Sequence, residues 1–244
     1  MIMKLEIRNI TLNINKKLIV NDVSISVSPG EIVGLLGPNG AGKTSTFNLI
    51  VGNLRPNKGD ILMNSKRINN LSLPQRSKLG LGYLSQEPSI FRDLTVKDNI
   101  NLALENSGLS KSILRSRREK IVNEFNLNKF IDSFGYQLSG GERRRCEIAR
   151  ALSVGQNGPK YLLLDEPFAG IDPIAVNDLK KLIYKLSKNG VGILITDHNV
   201  RETLSITNKS FVLSEGKLLA HGLSSELSKN EIVKKFYLGY NFKL

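Results

Sequence analysis

Residues 37–44 read GPNGAGKT, and their setting constrains the fold more than any other stretch of the chain. The apolar run EIVGLL (31–36) precedes them, and FNLIVG (47–52) follows with helical spacing and a glycine stop. Strand, glycine-rich loop and helix in that order predict a βαβ unit, whose helix carries the chain across to a parallel neighbour. The octet matches G-x-x-x-x-G-K-[ST] in the context that motif requires. Its glycines let backbone N–H groups converge on phosphate oxygens, and the following helix adds its own free N–H groups and positive end. Gly37, Pro38, Asn39, Gly40, Ala41, Gly42, Lys43, Thr44 and Ser45 are therefore the candidate phosphate-binding residues. Lys43 is expected to reach the β- and γ-phosphates and serve the chemistry there, and the Thr44 hydroxyl to ligate Mg²⁺.

A second run, YLLLDEP (161–167), supplies the acidic half of such a site. Four apolar residues predict a buried strand, and Asp165 emerges at its carboxyl end, where open α/β sheets place their ligands. Asp165 is the expected magnesium carboxylate, and Glu166 is placed to orient or deprotonate an attacking water. Elsewhere KLEIRNITL and VSISV alternate as strands before the turn Pro29-Gly30, and GDILMN, LGLGYLS, GILIT (192–196) and FVLSEGKLLA (211–220) read as further strand runs. Helices are expected near 95–105, 112–126, 141–152 and 173–188, and short ones from 224 onward. The reading is an α/β core (1–86 and 153–223) with a helical subdomain at about 87–152 and a C-terminal extension at about 224–244.

Charge and composition narrow the class. Lys and Arg number 35 against 22 Asp and Glu, for a formal net charge of +13, yet the basic residues are spread along the chain apart from RSRREK (115–120). Spread charge reads first as solvated surface. Aromatic content of 6% without tryptophan argues against a base-stacking platform, and no nucleic acid is expected as a partner. The single cysteine, Cys146, excludes an internal disulfide. Nowhere do about 18 apolar residues run uninterrupted, and MIMKLEIRNI has no secretory pattern, so a peripheral or soluble protein is expected.

The stretch LSGGERRRCEIAR (138–150) resembles the signature motif of ATP-binding-cassette ATPases, and it precedes YLLLDEP as that family requires. Gln86 in GYLSQE resembles the Q-loop glutamine, Asp172 in AGID the D-loop aspartate, and His198 in ITDHN the switch histidine. The resemblance implies a P-loop ATPase with a mostly parallel core sheet, an antiparallel β subdomain and a helical subdomain. It also implies a homodimer closing on two ATP molecules, in which Ser139, Gly140, Gly141 and Glu142 meet the γ-phosphate held by the loop of a second copy. Gln86 would join Thr44 and Asp165 at the Mg²⁺ ion, and His198 would hold Glu166 and the water. On the signature helix itself, Arg143, Glu147 and Arg150 fall on one face at i, i+4 and i+7 and are expected to form a solvated, charge-paired stripe, with Cys146, Ala149 and Leu152 inward.

More locally, GLGYLSQEPSIFRDLTVKDN, DEPFAGIDPI and the ending FYLGYNFKL resemble the lipopolysaccharide-export ATPases, with branched-chain amino-acid uptake cassettes as the alternative. This resemblance implies two transmembrane permease subunits, coupled through Ile90, Phe91 and Arg92, at the cytoplasmic face of the inner membrane. It also implies that Phe236, Tyr237, Tyr240 and Phe242 lie across the dimer interface. One departure stands out: Ile14 occupies the place where cassettes usually stack an aromatic on the adenine.

Overall fold

The computed structural model describes residues 3–105 and 107–239. The N-terminal stretch forms a hairpin, β1 (Leu5–Ile14) and β2 (Lys17–Val27), turned by Asn15 and Lys16 with φ of 50° and 65°. A two-residue turn with both φ positive matches the twist of the paired strands. β3 (Ile32–Leu36) leads into the glycine loop and α1 (Lys43–Val51). Then come β4 (Lys58–Met63), β5 (Lys66–Arg67), α2 (Leu73–Lys78) and β6 (Leu81–Leu84). Three helices follow, α3 (Val96–Glu105), α4 (Lys111–Glu124) and α5 (Gly140–Leu152). The chain returns to the sheet with β7 (Tyr161–Asp165), α6 (Pro173–Lys188), β8 (Gly192–Thr196), α7 (Val200–Ile206), β9 (Lys209–Ser214) and β10 (Lys217–Leu223). Short helices α8 (Ser224–Leu227) and α9 (Glu231–Val233) and a π-helical turn (Lys234–Leu238) end the described chain, which leaves Tyr240 and Phe242 outside it.

The strands form an antiparallel four-stranded sheet, β2-β1-β4-β5, and a six-stranded sheet, β10-β9-β3-β8-β7-β6. In the larger sheet only β10 runs antiparallel to its neighbour. Every residue of β3, β7 and β8 is buried, which explains why they read as unbroken apolar runs. Their alternate residues face opposite ways. Leu162, Leu164, Ile193 and Ile195 pack with α3–α6, whereas Val33, Leu35, Leu163 and Leu194 pack with α1 and the smaller sheet. The parallel core sheet, the antiparallel sheet and the helical layer match the expected fold class. FVLSEGKLLA is split by Glu215 and Gly216, both at positive φ, into the β9–β10 hairpin. Among the described residues no helix is long and apolar enough to cross a membrane. Cys146 is free and fully buried, and burial pushes its thiol up to about 12.

Candidate active site

The carboxyl ends of β3, β7 and β8 lie side by side, and the loops that leave them gather the expected residues. Gly37 adopts φ 146°, and a Cβ there would meet the Leu213 carbonyl oxygen at 2.2 Å, so only glycine fits. Gly42, at φ 99°, caps α1, and no acidic residue or side-chain cap occupies that helix start. Its N–H groups remain open to an anion. Lys43 is buried and donates its Nζ to the Gly37 and Pro38 carbonyls at 2.8 and 3.0 Å. Burial holds its pKa below the ordinary lysine value, against the pull of Glu166 and Asp165. Asn39, Gly40 and Thr44 are exposed, Ser45 is half-buried and Ala41 is buried. The β1–β2 hairpin abuts this loop, since a Cβ on Gly42 would lie 2.9 Å from the Ile19 carbonyl, and Ile14 at its tip is exposed.

Asp165 ends β7 in register with Thr196 of β8. Both of its carboxylate oxygens are buried with no hydrogen-bond partner. Burial, with the neighbouring Glu166, pushes its pKa up to about 6. An orphaned buried carboxylate at the mouth of a phosphate loop fits a divalent cation. Among the described residues no group of three His, Cys, Asp or Glu side chains converges, so such an ion would be held by Asp165, the Thr44 hydroxyl and phosphate oxygens. Gln86 is exposed, in a bend that the Ser85 hydroxyl closes by donating to the Glu87 carbonyl.

Glu166 takes φ 51°, a left-handed conformation costing a non-glycine residue on the order of 1–3 kcal/mol. Three contacts hold it there. Its N–H donates to the Thr196 carbonyl at 2.8 Å, its carbonyl accepts from Arg144 Nη2 at 2.7 Å, and its Oε1 lies 2.7 Å from His198 Nε2. The turn points the carboxylate at His198 rather than into the sheet. Asp197 fixes the segment around His198, accepting the Phe168 N–H at 2.9 Å and the Asn199 N–H at 2.9 Å.

Ser139 caps α5 through a reciprocal box, accepting the Glu142 N–H at 3.3 Å while the Glu142 carboxylate accepts the Ser139 N–H at 2.8 Å. The glycines after it allow close packing: a Cβ on Gly140 would sit 3.2 Å from the Gly170 carbonyl, and one on Gly141 3.2 Å from the Ala175 Cβ. Asp172 caps α6, accepting from Ile174 and Ala175 N–H at 3.0 Å each. Those bonds, the Ala175 one foremost, hold its carboxyl below the usual range.

The charged residues of α5 do not form the expected solvated stripe. Cys146, Ala149 and Leu152 do face inward, but Glu147 is also buried, at 3% exposure. Its carboxylate accepts the Ser89 and Ile90 N–H groups at 2.8 and 3.2 Å and pairs with Arg144 at 3.0 Å. Arg144, equally buried, donates to the carbonyls of Ser85 (3.2 Å), Asp165 (3.0 Å), Glu166 (2.7 Å) and Pro167 (3.4 Å). Arg150 donates to the Ser89 carbonyl and lies 4.5 Å over the Phe91 ring. A helix wrapped on two sides by loops needs partners for loop backbone groups, and these side chains supply them. The opposite charges of Arg144 and Glu147 at i, i+3, beside Ile148 and Ala151, were the sequence signal for this. Ile90 is likewise buried in the core, while Phe91 and Arg92 are exposed. A groove of about 390 Å³ opens beside them, lined by Tyr83, Ser89, Ala103, Glu147, Arg150 and Ala151 among others.

Comparison with known proteins adds an independent line. Residues 20–169 match the ABC transporter family model. The chain belongs to the ABC transporter family. The cassette is 48% identical over 238 residues to the lipopolysaccharide export system ATP-binding protein LptB of Escherichia coli, covering 97% of this chain and 98% of that one. The Haemophilus influenzae and Acidithiobacillus ferridurans proteins of the same description are 47% and 46% identical, covering 97% and 98% of both partners. Among solved structures, an ATP-binding cassette of an ABC transporter in its ADP conformation superposes with a TM-score of 0.86 at 26% identity, covering 98% of this chain and all of that one. A nucleotide-free cassette superposes with a TM-score of 0.82 at 27% identity, covering 96% and 95%. The enzyme is therefore an ABC-type ATPase.

Proposed function

We propose that the cassette powers lipopolysaccharide export as a homodimer bound beneath two transmembrane subunits, at the cytoplasmic face of the inner membrane. The observation that carries this reading is the end-to-end similarity, at 46–48% identity, to export ATP-binding proteins from three organisms. Uptake of branched-chain amino acids is not favoured, because the relatives at 46–48% identity share the export description.

In this reading the γ-phosphate draws Lys43 away from the Gly37 and Pro38 carbonyls it now engages. Asp165 and Thr44, with Gln86 from its exposed bend, would hold a Mg²⁺ ion, which would supply neutralisation of the charge developing on the phosphate oxygens. Glu166 accepts a proton from the attacking water, and His198, with Nε2 2.7 Å from Oε1, keeps the carboxylate in place. Arg144 keeps the backbone of both carboxylates from shifting as charge moves. The α5 N-terminus of a second copy, at Ser139, Gly140 and Gly141, closes the site. Closure follows only if ATP binds the closed dimer more tightly than the open one. Phe91 and Arg92, with the groove beside them, form the docking point for a helix end of a membrane subunit, through ring burial and bonds to free carbonyls. Ile90 supports that point from the core.

The test is a tagged purification from detergent-solubilised native membranes with mass spectrometry of co-purifying proteins. Two polytopic subunits with large periplasmic domains are expected. Amino-acid permease subunits, or nucleic acid without membrane proteins, would overturn the export assignment and leave the ATPase assignment intact.

A further inference from the structure

The turn between β9 and β10 is built onto the phosphate loop. Its two residues, Glu215 and Gly216, take φ of 49° and 77°. The Gly216 N–H donates to the Ala41 carbonyl at 3.1 Å, and the Gly216 carbonyl accepts the Asn21 N–H of β2 at 2.8 Å. The approach is close enough to require glycine: a Cβ at Gly216 would lie 2.5 Å from the Ile19 carbonyl oxygen and 3.5 Å from the Val20 Cα. A Cβ on Gly42 would stand 2.9 Å from that same Ile19 oxygen and 3.6 Å from the Gly216 Cα. Loop, turn and β1–β2 hairpin therefore meet backbone to backbone, with two glycines against one carbonyl.

A loop that turns its N–H groups on a phosphate turns its carbonyls outward, and each of those needs a donor. The Gly42 carbonyl is taken by the Thr46 N–H at 2.9 Å as α1 begins, and Ala41, one residue earlier, finds its donor in Gly216. In a planar trans peptide the C=O and the following N–H point opposite ways. Holding the Ala41 carbonyl against Gly216 therefore aims the Gly42 N–H to the other side of the peptide, into the loop. The Gly37 and Pro38 carbonyls are held instead by Lys43, which a phosphate draws away, whereas Gly216 is anchored between two strands and stays. We infer that Gly216 is a positioning residue for ATP: its N–H sets the Ala41–Gly42 peptide so that the Gly42 N–H meets a phosphate oxygen. The inference rests on the phosphate loop being the ATP site.

The experiment compares Gly216→Ala with Gly190→Ala in the purified chain. Gly190 also takes a left-handed φ, 89°, but a Cβ there meets nothing within 4 Å, and it precedes β8, at the end of the sheet away from the loop. Both variants carry backbone strain and should melt a few degrees lower without nucleotide. Only Gly216→Ala should weaken ATP binding, raising Kd in EDTA, where turnover stops, by about fivefold or more. Its KM with magnesium should rise by the same factor and its kcat stay within about twofold, the mark of a contact shared by ground and transition states. Hydrogen exchange in the parent needs no variant and decides the matter if Gly216→Ala does not fold: ATP in EDTA should slow the Gly216 amide by about fivefold or more and the Gly190 amide by less than about twofold. An unchanged Kd in Gly216→Ala, an equal rise in Gly190→Ala, or equal slowing of the two amides would overturn the positioning role. Failure of the parent chain to bind ATP would instead remove the underlying site reading, so the two failures are separable.

Discussion

Replacing Asp165 by asparagine removes a carboxylate that the nucleotide-free fold holds at a free-energy cost. The side chain is 1% exposed, both oxygens lack partners, and burial raises its pKa from 3.8 to about 6. A carboxyl whose folded pKa lies above its unfolded value contributes stability fully below about pH 4, and that contribution is lost as pH rises through about 6. Two pKa units at 1.36 kcal/mol each make the ionised group cost about 3 kcal/mol at pH 8, and about half of that at pH 5. The amide that takes its place has no charge to desolvate. For a chain of this length the relief corresponds to a rise in melting temperature of about 6 °C at pH 8 and about 3 °C at pH 5. The assay is thermal unfolding in EDTA without nucleotide, at both pH values, for parent and variant. A variant that melts no higher at pH 8, or gains equally at the two pH values, refutes the argument that an uncompensated charge sits there. Adding magnesium and ATP should reverse the order, because the amide offers the cation no charge.

Two further perturbations test the surroundings of the site. Glu147→Ala leaves Arg144 unpaired and the Ser89 and Ile90 N–H groups without their acceptor, so stability should fall by about 3–5 kcal/mol, or about 6–10 °C in melting temperature. Glu147→Gln, which keeps an acceptor oxygen, should lose clearly less, and equal losses for the two variants would contradict the network. Ile14→Tyr restores a stacking surface at the hairpin tip and should improve KM for ATP by several-fold, the worth of an aromatic contact, with kcat unchanged. An unaltered KM would mean the base does not lie against Ile14.

The loops of the candidate site were legible because each is announced by local pattern. EIVGLL-GPNGAGKT and YLLLDEP pair a buried strand with the residues that leave its end, and the parallel register follows from the helices between them. The β9–β10 hairpin was hidden inside one strand run because the turn rests on only two residues, Glu215 and Gly216. The departure at Arg143, Glu147 and Arg150 has a different origin. Helical periodicity reports which residues share a face but not what covers it, and here the loops around residues 85–90 and 165–167 cover the face that carries Glu147. The burial of Ile90 is hidden for the same reason, since its neighbours Ser89 and Phe91 are exposed while its own side chain turns inward. The left-handed turn at Glu166 left no trace in the sequence, because glutamate seldom adopts it and only the Thr196, Arg144 and His198 contacts enforce it.

The central claim is that Glu166 takes the proton from water in an ATP site completed by a second copy. It is tested most directly with Glu166→Gln, by measuring molecular mass by light scattering alongside ATP turnover. The account predicts that magnesium and ATP convert the variant from a 27.1 kDa species into a lasting dimer of twice that mass, with hydrolysis lowered by at least about a hundredfold. A variant that hydrolyses ATP at the parent rate, or that binds ATP and remains a monomer, would contradict it.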